Sequence, residues 1–283
     1  MKIDFYYWNH QCPINNETII LLDKFKANFE INYYDISANP QIAIDKNIYF
    51  PFLTVFNDTI RWRSPLDKDI IEKVVNGKKI VETPYVIKLG EKKFLGEIVE
   101  LNDSNIHLVF NGCTMNNCLV SCSKKKQFLS SECNNFYGYL NLDNGKVVGG
   151  VEYIPSMKVP YNVPKDEKTA FLTCIYHSST EFDYKAYPLE NLEKRLSEEY
   201  TSIIAISGEQ GTFPNGNLQW FLNRGYIDNG VISIEENYCK LHLVSKRLGK
   251  WFIILFKRYL YIIMYLNLIL NNRGRFLWSE ILW

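Results

Sequence analysis

The stretch covering residues 137–200 most constrains how this chain can fold. Three of its segments have the composition of β-strands: 137–142, 146–154 and 169–177. The first two flank Asp143-Asn144-Gly145, which is a strong signal for a tight hairpin. After the third segment, the apolar spacing of residues 188–200 predicts an amphipathic helix. We therefore expect a hairpin that leads into a buried strand and then a helix.

Two further motifs accompany this unit, Glu152-Tyr153-Ile154-Pro155 at the end of a strand and Gly225-Tyr226 after a short helix. Together with the hairpin, strand and helix, they resemble the GNAT N-acetyltransferase superfamily over residues 96–248. The resemblance implies a mixed-sheet α/β domain. It also implies a turn that holds the pyrophosphate of acyl-coenzyme A at a helix N-terminus, where N–H groups and the helix dipole attract phosphate. The implied function is acyl transfer from acetyl-coenzyme A to a small-molecule or protein amine.

By the same resemblance, five residues are expected to contact the coenzyme: Ile175, Tyr176, His177, Lys185 and Ala186. The first three would present strand backbone to the pantetheine arm, and the last two belong to the pyrophosphate loop. In that loop Asp183 places a negative charge where phosphate is expected. Phe221 stands where the family commonly has a tyrosine that acts as general acid. An alternative therefore stays open, in which the fold has lost its acyltransferase activity and the protein acts through its thiols.

Transfer to an amine requires a general base, and two strand residues near the expected cleft are candidates. Glu152 and His177 both have side chains that can accept a proton. Each also has a structural interpretation, Glu152 on the solvent face of a strand and His177 as a hydrogen-bonded core residue.

Residues 1–80 predict the element order β-α-β-α-β-β-α, which resembles the thioredoxin fold. Cys12-Pro13 lies between the first strand and the first helix, where a helix dipole stabilises a thiolate. Asn15 stands where a second cysteine would complete a dithiol motif. The resemblance implies a cis-proline at Pro51 beside the reactive thiol. Cys12 is therefore predicted to act as a single redox thiol or to belong to a purely structural module.

After a predicted linker at residues 81–95, four cysteines occur close together: Cys113, Cys118, Cys122 and Cys133. Four thiolates are a suitable ligand set for zinc or an iron–sulfur cluster. The alternative is that these small side chains pack in the interior. A helix is expected over residues 118–129, and its Lys124-Lys125-Lys126 run is interpreted as a solvated face.

The composition is that of a globular α/β protein, with 47% hydrophobic and 22% charged residues. A net charge of +1 gives no reason to expect a nucleic-acid partner. Seven cysteines without a signal-peptide pattern predict a reducing, cytoplasmic location.

Residues 249–283 form a hydrophobic tail that contains Lys257 and Arg258. We interpret it as an appended segment that need not be native, and expect no membrane contact elsewhere.

Overall fold

The computed structural model describes residues 1–111, 119–211 and 213–249, with the side chains of residues 110, 111 and 119–122 excepted. The first part of the chain forms seven elements: β1 (Lys2–Tyr7), α1 (Pro13–Asp23), β2 (Glu30–Asp35), α2 (Pro40–Asp45), β3 (Phe52–Phe56), β4 (Ile60–Trp62) and α3 (Lys68–Val75). This order matches the one predicted for residues 1–80. The four strands make one sheet in the order β2-β1-β3-β4, in which β1 is parallel to β2 and antiparallel to β3.

Local signals explain where these elements begin and turn. Helix α1 begins at Pro13, because proline is favoured in a first helical turn and lacks only an N–H that would be unpaired there. At the start of α3, the side chain of Asp67 accepts a hydrogen bond from the N–H of Ile70 at 2.8 Å. Between β3 and β4, Asn57 and Asp58 adopt φ values of 48° and 61°, which a two-residue hairpin turn requires.

The second part of the chain forms a seven-stranded sheet and three α-helices. Its strands are β5 (Glu97–Leu101), β6 (Gly138–Asp143), β7 (Lys146–Pro155), β8 (Thr169–His177), β9 (Ser202–Gly208), β10 (Ile227–Glu235) and β11 (Cys239–Arg247). Its helices are α4 (Leu119–Glu132), α5 (Ala186–Leu196) and α6 (Leu218–Leu222). The strand order is β10-β11-β9-β8-β7-β6-β5, so β8 lies at the centre. The predicted hairpin is β6–β7, and Asn144 and Gly145 turn it with φ values of 48° and 77°.

Strands β8 and β9 are parallel neighbours that separate along their length. Their register pairs Thr169–Phe171 with Ser202–Ile204 and stops there. Beyond that point, the side-chain amide of Asn215 donates to the carbonyl of Leu172 at 3.2 Å and to that of Ile206 at 3.3 Å. A side chain therefore supplies the donor that strand pairing no longer provides.

The two sheets share one hydrophobic core. Trp8 follows β1 and is 1% exposed, and its ring packs against Phe128 of α4, Tyr161 and Phe171 of β8 at centroid distances of 5.7, 5.1 and 6.2 Å. A second, smaller core lies on the other face of the seven-stranded sheet, where Leu189 of α5 packs with Ile175 and its neighbours. The large sheet is therefore covered on one face by α4 and the N-terminal sheet, and on the other by α5.

The segment predicted as a linker, residues 81–95, lies against the turn between β8 and α5. The N–H of Gly90 donates to the carbonyl of Thr180 at 2.8 Å, and the N–H of Phe94 donates to that of Asp183 at 3.1 Å. A Cβ atom on Gly90 would lie 1.9 Å from the carbonyl oxygen of Glu181, so this close approach requires glycine.

Among the residues that the structure describes, no helix is long and apolar enough to cross a membrane. The predicted tail begins at Gly249, the last described residue, and the rest of it lies outside the described part of the chain.

Candidate functional site

The N-terminus of α5 carries an anion that belongs to the protein itself. One oxygen of Asp183, Oδ1, accepts hydrogen bonds from the backbone N–H groups of Lys185 and Ala186, each at 3.1 Å. The first N–H groups of a helix have no partner within the helix and lie at the positive end of its dipole. The Asp183 carboxylate therefore occupies the place where the sequence resemblance implies a pyrophosphate.

The second oxygen of Asp183 is held by α6 and the residues that follow it. Oδ2 accepts a hydrogen bond from Nε1 of Trp220 at 2.8 Å and another from the guanidinium of Arg224. The guanidinium also stacks on the Trp220 ring, with 4.0 Å between its Cζ and the ring centroid. Burial lowers the pKa of Arg224, and the Asp183 carboxylate opposes that shift.

Lys185 adds a second cation beside this carboxylate. Its side chain is buried, and its Nζ lies 4.6 Å from the centroid of the Trp220 ring. Burial lowers the pKa of Lys185 to about 8, although Asp183 favours the charged form. A cavity of about 510 Å³ adjoins these groups, lined by Ile87, Leu89, Gly90, Glu91, Asp183, Lys185, Asn217, Trp220, Asn223 and Arg224. Two cations (Lys185 and Arg224), two carboxylates (Glu91 and Asp183) and two amides therefore line the same space.

The residues predicted to follow the pantetheine arm lie on β8 but point to both faces of the sheet. Ile175 belongs to the core beneath α5, whereas Tyr176 belongs to the core shared with the N-terminal sheet. Next to them, Nδ1 of His177 donates to the carbonyl of Ser179 at 2.9 Å. Burial, with a smaller contribution from Lys185, lowers the pKa of His177 to about 4. The imidazole is therefore neutral near pH 7.

The two predicted general bases do not share a site. Side chains alternate along a strand, so His177 lies on the α5 face with Ile175. Glu152 lies on the opposite face, where Nζ of Lys125 in α4 approaches its Oε2 to 2.8 Å. The interpretation of Glu152 as a solvent-facing residue is wrong, because its exposed fraction is 0%.

For Lys125 too, the predicted solvent exposure is wrong. It was interpreted as part of a solvated face, yet its exposed fraction is 2%. Burial by itself would lower the pKa of Lys125, but attraction to Glu152, together with Cys174 and Cys12, outweighs burial and raises that pKa. Burial raises the pKa of Glu152, and Lys125 opposes that shift. A carboxylate on a predicted strand and a lysine on a predicted helix are the sequence features that could have indicated this ion pair. Because three lysines are adjacent in the helix, the sequence does not show which of them points into the interior.

Cys174 lies beside this ion pair. In the register of β7 and β8 it is directly opposite Glu152, and its side chain is partly exposed. The register then shifts, so that Thr173 has no partner on β7. The side-chain amide of Gln11 donates to the Thr173 carbonyl at 2.9 Å, which brings the loop before α1 to β8.

Cys12, the predicted redox thiol, is the residue that precedes α1. Asn15, three residues on, points its side-chain amide at the carbonyls of Trp8, Asn9 and Pro51, at 3.3, 3.0 and 3.2 Å. It therefore holds this loop against β3. The peptide bond before Pro51 is trans, so the cis-proline implied at that position is wrong. The cis X–Pro bond in the described chain is Phe213–Pro214.

The predicted metal ligands can be compared with the structure only in part. Cys113 and Cys118 lie outside the described residues, as does the side chain of Cys122. The Cys133 thiol donates to the carbonyl of Tyr153 at 3.4 Å, and burial raises its pKa to about 12. Within the described ranges, no group of three or more His, Cys, Asp or Glu side chains is arranged to hold a metal ion.

No protein-family model matches the chain, and no curated protein sequence matches it. Among solved structures, it is similar to an N-acetyltransferase from Staphylococcus aureus Mu50, with a TM-score of 0.41 and 11% identity over 54% of this chain and 98% of that one. It is similar to an acetyltransferase of the GNAT family from Streptococcus pneumoniae, with a TM-score of 0.41 and 12% identity over 54% and 99%. It is also similar to a ribosomal-protein-alanine N-acetyltransferase from Brucella melitensis, with a TM-score of 0.39 and 15% identity over 53% of this chain and 99% of that one.

Proposed function

We propose that residues 96–248 form a GNAT-type domain that binds acyl-coenzyme A and transfers its acyl group to an amine. The observation that carries this proposal is the helix N-terminus behind the central strand, with Lys185 and Arg224 beside an open cavity. A helix N-terminus with two adjacent cations is an environment that stabilises phosphate. Strands β8 and β9 stop pairing after Phe171 and Ile204, and in this proposal a linear ligand lies along β8 beyond Leu172, whose carbonyl Asn215 already occupies.

The Asp183 carboxylate defines how phosphate binds in this proposal. It already accepts the two N–H groups at the start of α5, so the phosphates lie beside it in the cavity rather than on those donors. Arg224 and Lys185 then share their charge between Asp183 and the phosphates. Asn217 and Asn223 line the same cavity, and Asn223 is the neutral donor in this proposal because the Asn217 amide already donates to the Glu209 carbonyl at 3.1 Å.

The proposed reaction also requires that the attacking amine lose a proton. Glu152 is the base in this proposal, because burial raises its pKa and it lies opposite the partly exposed Cys174 in the strand register. His177 is not assigned this role, since its Nδ1 is bonded to the backbone and its ring lies on the other face of the sheet.

We further propose that residues 1–80 form a thioredoxin-like module that covers the acceptor side of the large sheet. The element order and the position of Cys12 before α1 support this assignment. In this arrangement Gln11 and Trp8 pack the module onto β8.

Calorimetric titration of the full-length chain with acetyl-coenzyme A tests the proposal, with Arg224→Gln as the variant. Loss of one charge-assisted hydrogen bond changes a binding free energy by about 1.5–3 kcal/mol, which is about a 10- to 100-fold loss of affinity. Lys194→Met is the matched control, because Lys194 is an exposed cation on α5 that does not line the cavity. No binding by the wild-type chain at millimolar ligand, or equal binding by Arg224→Gln, would contradict the proposal.

A further inference from the structure

Three side chains from three elements meet on the face of the large sheet that α4 covers: Cys174 of β8, Glu152 of β7 and Lys125 of α4. Residues directly opposite each other on neighbouring antiparallel strands have Cβ atoms about 5 Å apart, so the Cys174 thiol lies next to the Glu152 carboxylate. The Lys125 ammonium completes the set with its 2.8 Å contact to Glu152.

Stability alone is a weak reason for this pair. A buried ion pair loses the solvation of both charges, and apolar residues of the same size are often as stable or more stable. The charges of Glu152 and Lys125 are nevertheless almost completely buried, and Cys174 beside them is the partly exposed member of the set. A nucleophile that contacts a base, which a third group orients, is the arrangement used in covalent catalysis.

Two other thiols of the described chain provide a contrast. Burial raises the pKa of Cys133 and that of Cys239 to about 12 in each case, which suppresses the thiolate. Cys174 instead lies opposite Glu152, whose carboxylate Lys125 contacts, and a neighbouring cation stabilises a thiolate. The electrostatic attraction is mutual, because Cys174 is among the groups that favour the charged form of Lys125 and of Lys185.

We propose that Cys174 accepts the acyl group as a thioester before the amine receives it, with Glu152 as its base and Lys125 as the residue that positions Glu152. This inference rests on the proposed function and adds a covalent intermediate to it. Glu152 removes the thiol proton, and the sulfur of Cys174 attacks the thioester carbonyl carbon. The bond from that carbon to the coenzyme sulfur breaks, and Glu152 returns the proton to the departing thiolate.

The second half of the reaction regenerates the thiol. The amine nitrogen attacks the carbonyl carbon of acyl-Cys174, and Glu152 takes a proton from that nitrogen. The bond between the carbonyl carbon and the Cys174 sulfur breaks, and the sulfur takes the proton back from Glu152. The products are an amide and a free thiol, so no oxidant or reductant is required. In this reaction Glu152 supplies the proton that the departing coenzyme thiolate needs. A general acid at position 221 is then not required, which is consistent with Phe221 having no acidic proton.

The test uses the full-length chain and two acyl donors, acetyl-coenzyme A and S-acetyl-N-acetylcysteamine, which carries the same thioester without phosphate. Each is incubated with the protein in the absence of an amine, and the acid-quenched protein is mapped by peptide mass spectrometry. The expected result is one acetyl group on the peptide that contains Cys174, removed by neutral hydroxylamine. The acetyl group is expected to be absent in Cys174→Ala and retained in the control Cys239→Ala, which lacks a different buried thiol.

The outcomes separate the two proposals. Acetyl-Cys174 formed from the short donor but not from acetyl-coenzyme A supports the thiol nucleophile and contradicts the phosphate site. Calorimetric binding of acetyl-coenzyme A with no acetyl-Cys174 from either donor overturns the covalent intermediate and leaves the proposed function standing. Unchanged acetyl transfer to an amine by Cys174→Ala also overturns it. For Lys125→Met, the expected result is slower acetylation of Cys174 with a changed pH profile, whereas a purely structural Lys125 would leave that profile as it is.

Discussion

The side-chain amide of Gln11 donates a hydrogen bond to the backbone carbonyl of Thr173 at 2.9 Å, and both residues are buried. Gln11 belongs to the loop that precedes α1, and Thr173 is the residue of β8 that the register shift leaves without a partner on β7. The bond thus joins the N-terminal sheet to the central strand of the large sheet. The irregularity in β8 creates the acceptor, and the N-terminal module supplies the donor.

Gln11→Ala is expected to destabilise the whole chain, because it leaves the buried Thr173 carbonyl without its donor. Loss of one partner from a buried hydrogen bond reduces the free energy of unfolding by about 1–3 kcal/mol. Urea unfolding followed by circular dichroism measures the change. Gln41→Ala is the control, since the Gln41 side chain is exposed and bonds only to Asp45 in the described structure. A variant as stable as the control would show that this contact does not join the sheets energetically.

Arg63→Met is expected to be more damaging, because Arg63 is a buried cation between the two sheets. Its guanidinium lies 2.6 Å from Glu235 of β10 and 3.1 Å from Glu82. Removal of the guanidinium leaves Glu82 with backbone N–H donors only and Glu235 with Arg61 as its remaining cation, 3.5 Å away, which lowers the free energy of unfolding by up to about 3–5 kcal/mol. Lys68→Met breaks the exposed ion pair with Glu72 and should change the free energy of unfolding by less than about 1 kcal/mol. Thermal unfolding of both variants gives the comparison, and equal midpoints would refute the expectation.

Asp183→Asn is expected to increase the affinity for acetyl-coenzyme A. The amide keeps an oxygen for the N–H groups of α5 and removes the negative charge next to the phosphates. It also loses the acceptor for Trp220 and Arg224, which frees the Arg224 guanidinium for phosphate. We expect affinity to rise by about 3- to 10-fold, which corresponds to about 0.7–1.4 kcal/mol. Calorimetry measures it, with Asp143→Asn on the exposed β6–β7 hairpin as the charge-matched control. Weaker binding would mean that the carboxylate serves chiefly to position Arg224.

The stability of the chain is expected to fall between about pH 6.5 and pH 4, in part through His177. Burial lowers the pKa of His177 to about 4 in the folded state, from 6.5 when unfolded. In that window the unfolded chain binds the extra proton, so the free energy of unfolding decreases as the pH falls. A shift of this size corresponds to about 3 kcal/mol at most. His177→Gln should flatten this part of the pH profile, whereas His107→Gln, at an exposed position, should not. Parallel profiles for wild type and His177→Gln would exclude His177 as the cause.

Much of the backbone could be predicted because its signals are local. The β6–β7 hairpin depends on Asn144 and Gly145, which adopt positive φ with little strain. The predicted strand 169–177 agrees with β8 at both ends. Helix α5 begins at Ala186 rather than at the predicted Pro188, because the Asp183 carboxylate accepts the N–H groups of Lys185 and Ala186.

The site depends on contacts that no local pattern contains. Lys125 and Glu152 are 27 positions apart in the sequence and lie on a helix and a strand, so only the packing of α4 on β7 buries both charges. The sequence indicates only that Asp183 places a negative charge where phosphate is expected. Its hydrogen bonds to Trp220 and Arg224 form because α6 packs beside α5. The sequence by itself determined the order and turns of the elements, since these follow from the dihedral preferences of a few adjacent residues. Tertiary structure decided which charges are buried and which partners they meet, because desolvation and pairing depend on distant elements packing together.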